Sequence, residues 1–367
     1  MRRLLLAIVL SIVVVTALAW GRGELQIWPK LPGVPNYGVG LPESVYGVHP
    51  VDVTTYGESY FFMSRLDDGT AIFATVFITN MGLSSNNTSM DVAVCEPGMK
   101  NYWGRIEFKH GQSQAAADHM DVTLDTSRVW GRFPDFNVKL DVKKLAVDLK
   151  YHSTLPGFAI NSGLVVYGSP DHYYASYVST PRAEVTGTIR TPAGARQVHG
   201  YGYSDHGRVT MMPHKYSKRW FSLRCFDAKY TLDILEFTVP QEWGGRTVPM
   251  IAFAKGDKLL YAGDRYTLTP SDWQTEPTYK MKYPKHFDFS LDRPGVVKVT
   301  GSYTVQSPVE IVNILERMSF FERQIAGIFA KSYVYRFLVN VQANVTFPDG
   351  TTDSFTSPAI SEVLWIK

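Results

Sequence analysis

Charge is scarce in this chain: Asp, Glu, Lys and Arg make up 19% of its 367 residues, against roughly 25% in an average soluble domain. With a formal net charge of +3 and no Lys/Arg block long enough to track phosphates, nothing selects nucleic acid as a partner. Cysteine is nearly absent. Cys95 and Cys225 are too few for a disulfide framework or a cysteine-based zinc site, and leave open either one disulfide or two buried thiols. Glycine (29) and proline (21) stand near average usage, which excludes collagen-like and low-complexity chains. Disorder is excluded by 45% hydrophobic residues. No H-E-x-x-H, no G-x-S-x-G elbow, no G-x-x-x-x-G-K-[ST] and no helix-opening G-x-G-x-x-G occurs. No metal, serine nucleophile or nucleotide cofactor is therefore expected.

What the chain does have is aromatic residues, 13% of the total, which suit pleated, half-buried surfaces. At the N-terminus, Arg2 and Arg3 precede an uncharged, mostly apolar run from Leu4 to Trp20, with Ala17-Leu18-Ala19 as a cleavage site. Residues 1–20 read as a signal peptide or an N-terminal anchor. The expected destination is the periplasm or the outside of the cell, or a membrane held through residues 4–20. No later run is long and apolar enough to span a bilayer as a helix. Asn86, Asn87 and Asn344 each begin an N-x-S/T sequon. Residues 21–50, rich in Pro and Gly, read as an irregular lead-in, in which Trp28 is expected to contribute little to stability.

From residue 51 strand signals dominate. Ser59–Met63 and Ala71–Phe77 flank Asp67-Asp68-Gly69, and Asp-Gly between apolar runs is a strong hairpin signal. Strand-like runs continue through Leu145–Tyr151, Ala183–Ile189, Gln197–Tyr203, Leu232–Val239, Val248–Ala254, Val296–Val305, Val334–Val345 and Glu362–Ile366. Many short strands at this spacing predict an all-β, predominantly antiparallel sandwich or barrel. One stretch departs from the pattern. Between Pro308 and Lys331, Ile311, Leu315, Met318, Phe321, Ile325 and Ile328 recur at helical spacing, predicting one amphipathic helix. A faint echo between the strands through Tyr203 and through Trp365 suggests two similar β halves, 51–205 and 206–367. The first closes near Tyr203 and the second opens near His214, so Arg219 and Trp220 are expected at the junction or facing a ligand.

The densest polar cluster is Gly200-Tyr201-Gly202-Tyr203-Ser204-Asp205-His206, followed by His214, Arg219 and Trp220. An acid and an imidazole at a strand end can protonate a substrate if burial raises the carboxyl; equally, they can pin a crossover. His199, His206 and His214 lack a metal-ligand spacing. Leu155-Pro156-Gly157-Phe158, Val166-Tyr167-Gly168, Ala183–Ile189, Met212-Pro213-His214, Ser217-Lys218-Arg219-Trp220, Tyr230-Thr231 and Leu235–Pro240 follow the order of the lipocalin-like survival-factor family, which this chain resembles. Gly200-x-Gly202-Tyr203-x-Asp205-His206 is similar to the G-x-G-Y-x-D-H of the carotenoid 1,2-hydratase (hydroxyneurosporene synthase) and AttH-like family. Gly207-Arg208 stands where that family has an Asn or Trp and then Gly. Both resemblances imply two consecutive lipocalin-like β-barrels. The first implies binding of a hydrophobic small molecule, such as a lipid, sphingolipid or isoprenoid, and a part in oxidative stress protection. The second implies a cofactor-independent hydratase or cyclase acting on a polyene or terpenoid. There Asp205 would be the general acid, His206 and Tyr203 would orient it, and Trp220 would face the developing positive charge.

Overall fold

The computed structural model describes residues 23–80, 87–98, 101–108, 112–317 and 331–367. The N-terminal segment over 1–20 and the sequon at Asn86 lie outside them. The first half comprises β1 (Leu25–Ile27), β2 (Gly38–Val39), β3 (Gly57–Leu66), β4 (Ala71–Thr79), β5 (Asn87–Cys95), β6 (Tyr102–Phe108), β7 (Ser113–Ala115) and β8 (Met120–Leu124). It continues with β9 (Ser127–Arg132), β10 (Asp135–Val142), β11 (Leu145–Ser153), β12 (Phe158–Ala159), β13 (Leu164–Tyr167), β14 (Ser169–Thr191) and β15 (Gly194–Val209). Its main path runs β6-β5-β4-β3-β15-β14-β11-β10-β9-β8-β7. After a short helix α1 (Pro213–Tyr216) come β16 (Arg219–Phe226), β17 (Tyr230–Thr238), β18 (Thr247–Lys255), β19 (Lys258–Gly263) and β20 (Thr267–Thr275). The chain ends with β21 (Lys282–Arg293), β22 (Val297–Asn313), β23 (Ser332–Thr346) and β24 (Thr352–Ile366), in the order β19-β18-β17-β16-β24-β23-β22-β21-β20. Each sheet is antiparallel and curls into a barrel-like half, and among the described residues neither joins its two edge strands by a ladder.

Alternation in the sequence explains the curl. Phe136, Val138, Leu140 and Val142 of β10, with Leu145, Val147, Leu149 and Tyr151 of β11, all point into one interior, while Lys139, Asp141, Asp148 and Lys150 point out. A period of two puts every second residue on the buried face. The expected hairpin is present: Gly69, at φ 85°, donates to Leu66 O at 3.0 Å between β3 and β4. The second sheet encloses its own core of Phe221, Leu223, Tyr230, Phe287, Tyr303 and Tyr335. A third core lies between the halves, where Met63, Phe73, Phe158 and Tyr203 of the first meet Phe226, Phe237, Met250 and Ile360 of the second. We call this layer the seam.

Three expectations are corrected. β15 runs on to Val209, past the boundary expected at 205, so the link between halves is 210–218. The helix expected over 308–331 begins as strand: residues 308–313 continue β22 because they pair with β23, and 314–317 make a single 3-10 turn. Residues 318–330 lie outside the described residues. The lead-in is not a loose tether. β1 pairs with β13, and Trp28 is buried in the seam, its indole N–H donating to Pro249 O of the other half at 2.9 Å.

Trp28→Ala should therefore lower the unfolding free energy by about 3–5 kcal/mol, the usual loss for a buried aromatic truncated to Ala. Trp220→Ala, half-buried, should cost less. Urea denaturation monitored by far-UV circular dichroism measures both, and wild-type stability in the Trp28 variant would contradict its role in the seam.

Candidate functional site

Pleating sorts the polar cluster of β15 onto two faces. Tyr201 and Tyr203 belong to the seam, and Asp205 shares their parity; Gly202, Ser204 and His206 face the first interior. Gly202 is needed for packing there, since a Cβ would lie 2.5 Å from the Tyr151 ring and 2.8 Å from Met63 O. The neighbours Asp205 and His206 consequently point away from each other. The expected set of Asp205 with His206 as its orienting imidazole is not assembled, because adjacent strand residues project to opposite sides.

His206 is instead a structural residue of the first barrel. Its ring stacks on Tyr60 at 4.3 Å, and its nitrogens face Val45 O at 2.8 Å and Glu58 Oε1 at 2.7 Å. Glu58 also accepts from His49 N–H and the Tyr56 hydroxyl. Burial favours its neutral acid, yet His206 and Tyr56 hold the Glu58 carboxyl below the usual range. The cluster ties the segment around Val45 across the end of the barrel.

Asp205 looks across the seam at Arg224 of β16, with Oδ2 4.0 Å from Nη2. Burial raises its carboxyl to about 6, against Arg224 and a hydrogen bond from Tyr203. The Arg224 guanidinium lies over the Tyr203 ring at 3.9 Å and donates from Nη1 to Leu223 O and Ile234 O, while its buried Nε finds no partner. Beside it on β17 is Asp233, 4% exposed, with both carboxyl oxygens buried and unpartnered. Burial pushes Asp233 up to about 8, opposed by Arg224 and Arg182, so at neutral pH it is mostly a neutral acid. Arg224 and Asp233 line a cavity of about 10 Å³ with Tyr203, Phe158, Val178, Leu235, Met250 and Ala252, barely the space of one water. The arrangement is an apolar slot with one neutral donor–acceptor group and one guanidinium N–H awaiting partners.

The remaining expected residues divide around it. Trp220 is in the seam, stacked on Phe237 at 4.5 Å and edge-on to Tyr174 of the first half at 5.3 Å. Arg219, next in the strand, faces the second barrel over Phe221 at 4.4 Å. His214 sits on α1, its imidazole lowered by burial and by Lys215 and Lys218. His199 pairs with Asp67 at the surface, so the three histidines do not converge. Cys95 faces the seam and Cys225 the second interior; both are buried and free, which resolves the pair as thiols. Sequence reasoning missed Arg224, Asp233, Arg182 and Glu58. A signal existed: Arg224 and Asp233 are lone charges inside strongly apolar strands, Phe221–Phe226 and Tyr230–Leu235, where a charge is buried only for a reason.

Comparison with known proteins places the chain in a family. The profile of the Svf1 family matches residues 47–367. The ceramide-binding protein svf1 of Emericella nidulans is 24% identical over 312 residues, 79% of each chain. The ceramide-binding protein svf1 of Aspergillus fumigatus is 23% identical over 310 residues, 77% of this chain and 74% of that one. A crystal structure of an AttH-type protein from Nitrosomonas europaea superposes with a TM-score of 0.63 at 14% identity, covering 91% of this chain and 98% of the other. At that identity the likeness establishes the fold, the lipocalin-like β architecture that the family resemblances implied.

The buried acids make stability depend on pH in a defined direction. Asp205 and Asp233 have folded values raised to about 6 and about 8, above an unfolded value of about 3.9. The folded state then holds protons that the unfolded state releases, so these groups cost stability as pH rises from about 4 to about 8. Asp233→Asn should flatten the upper part of that fall and be more stable than wild type at pH 8. Urea midpoints across the range test this, and an unchanged slope in the variant would contradict the assignment.

Proposed function

The chain belongs to the Svf1 family, and from that premise we propose that it binds a neutral, two-chain sphingolipid of the ceramide type, with the polar head in the seam. The observation that carries the reading is the unsatisfied polar set at Asp233 and Arg224 in a wall otherwise built of Phe158, Val178, Leu235, Met250 and Ala252. Buried polar atoms without partners cost about 1–3 kcal/mol each, and a ligand that supplies partners recovers that free energy. A ceramide head is uncharged and carries an amide and hydroxyls. Its groups match a protonated carboxyl, which both donates and accepts, and a guanidinium N–H, which donates. An uncharged head also leaves the Asp233 proton in place.

The cavity is far smaller than a lipid, so binding requires the walls of the seam to part. The layer suits that motion, because between the main sheets it is bridged by side chains rather than by a strand ladder. Relatives named ceramide-binding proteins, which this chain matches over 79% and 74% of their length, support the ligand class. Export through residues 1–20 is part of the same proposal, and N-terminal sequencing of the mature protein tests it: a start after residue 20 supports cleavage.

Palmitoyl ceramide should bind the purified protein saturably. Asp233→Leu should weaken that binding at least about tenfold, or about 1.4 kcal/mol. Asp233→Asn, which keeps a donor and an acceptor, should stay near wild type. Absence of ceramide binding by the wild-type protein, measured beside phospholipid and isoprenoid controls, would overturn the reading.

A further inference from the structure

Arg219 occupies a setting that the seam does not explain. It begins β16 and turns into the mouth of the second barrel, where its guanidinium lies 4.4 Å from the Phe221 ring, 5.5 Å from Trp365 and 5.7 Å from Trp273. Its Nη2 donates to Thr238 Oγ1 at 3.3 Å, while Nε is buried and has no partner. Among the described residues Arg219 forms no ion pair. A partly buried cation normally finds a counter-charge. The acid that faces it, Glu236 on β17, is poorly fitted for the task. Burial raises its carboxyl to about 7, and its Oε2 accepts from the Tyr266 hydroxyl at 3.3 Å.

The wall over this arginine is also unusual. Trp273 lies on β20, an edge strand whose ladder runs to β21 alone. Toward β16 it is joined by ring contact, Trp273 to Phe221 at 6.2 Å. Trp273 is 40% exposed, and Leu268 on the same strand packs against the barrel interior. That margin can open without breaking a strand ladder.

We propose that Arg219 anchors the head of a second ligand in the mouth of the second barrel, and that this ligand is an amphiphilic carboxylate of the long-chain fatty acid class. The carboxylate accepts from the free N–H groups of Arg219 and supplies the missing counter-charge. Guanidinium–carboxylate pairing is charge-assisted and often bidentate. Trp273 and Trp365 cover the first methylenes, and the tail follows the margin of β20 toward Leu268. The site is separate from the ceramide seat: Arg219 and Trp220 are adjacent and point to opposite faces of one sheet, so Trp273 and Trp365 report on the second site and Trp220 on the seam.

Tryptophan fluorescence quenched by dibromostearate tests the site directly. Saturable quenching is expected for the full chain. It should be reduced in Trp273→Phe, largely lost when Trp273→Phe and Trp365→Phe are combined, and retained in Trp220→Phe. Arg219→Gln should weaken binding at least about tenfold, and the methyl ester of dibromostearate should bind wild type more weakly by a similar factor. The ester comparison stands on the unaltered protein, so a folding defect in the Arg219 variant does not remove the test. No quenching, equal affinity for acid and ester, or a signal that survives the combined Trp273→Phe and Trp365→Phe variant and vanishes in Trp220→Phe would each overturn the proposal. Ceramide binding measured on the same Arg219→Gln protein reports on the seam independently, so failure of one reading is distinguishable from failure of the other.

Discussion

Arginines of the second sheet lie on aromatic rings of the first, Arg224 on Tyr203 at 3.9 Å and Arg336 on Phe73 at 3.8 Å. Two curled sheets can meet on their outer faces only if those faces are largely apolar, and a guanidinium stacked on a ring brings hydrogen-bonding capacity into such a layer at low desolvation cost. Arg336 is neutralised within its own sheet by Glu310 and by Glu362, whose Oε1 is 2.7 Å from Nε. Glu362 in turn accepts from Ser222. Arg182 reaches the other way, from β14 to Asp227 O at 2.9 Å and to Thr231 Oγ1. Apolar area holds the halves together, and these stacked cations fix how they register.

The His206 and Asp233 clusters treat buried polarity in opposite ways. Around His206, both ring nitrogens have partners, and Glu58 gathers donors from three residues. Such a cluster rigidifies, because each member loses a partner if the segment near Val45 moves. Around Asp233 the reverse holds, with two carboxyl oxygens and one guanidinium nitrogen left open. A folded protein tolerates that cost where a ligand removes it. The difference sets the Asp233 and Arg224 pair apart from the His206 cluster as the group with capacity left for a ligand.

Strand β16 concentrates these roles. Its even residues, Trp220, Ser222, Arg224 and Phe226, build the seam, and its odd residues, Arg219, Phe221, Leu223 and Cys225, build the second interior. One strand thus serves as a wall common to both compartments. A charge on either face is buried by a different set of neighbours, which is why Arg219 and Arg224, five residues apart, differ in every partner they have.

The alternation of apolar and polar residues and the Asp-Gly turn at 68–69 were enough to specify an antiparallel β protein, because strand periodicity and turn chemistry are local properties. The two lipocalin-like halves were what the resemblance carried by the motifs from Leu155 to Pro240 implied. The motifs also marked β15 and the start of β16 as important. The sequence could not say that the lead-in is pinned by Trp28, since its partner Pro249 is 221 residues away. Nor could helical spacing over 308–313 reveal a strand, because pairing with β23 overrides a local period. Above all, it could not separate Asp205 from His206 or join Asp233 to Arg224. Adjacent residues share a position in the chain but not a face, and which groups end buried without partners is decided only when two sheets close over them.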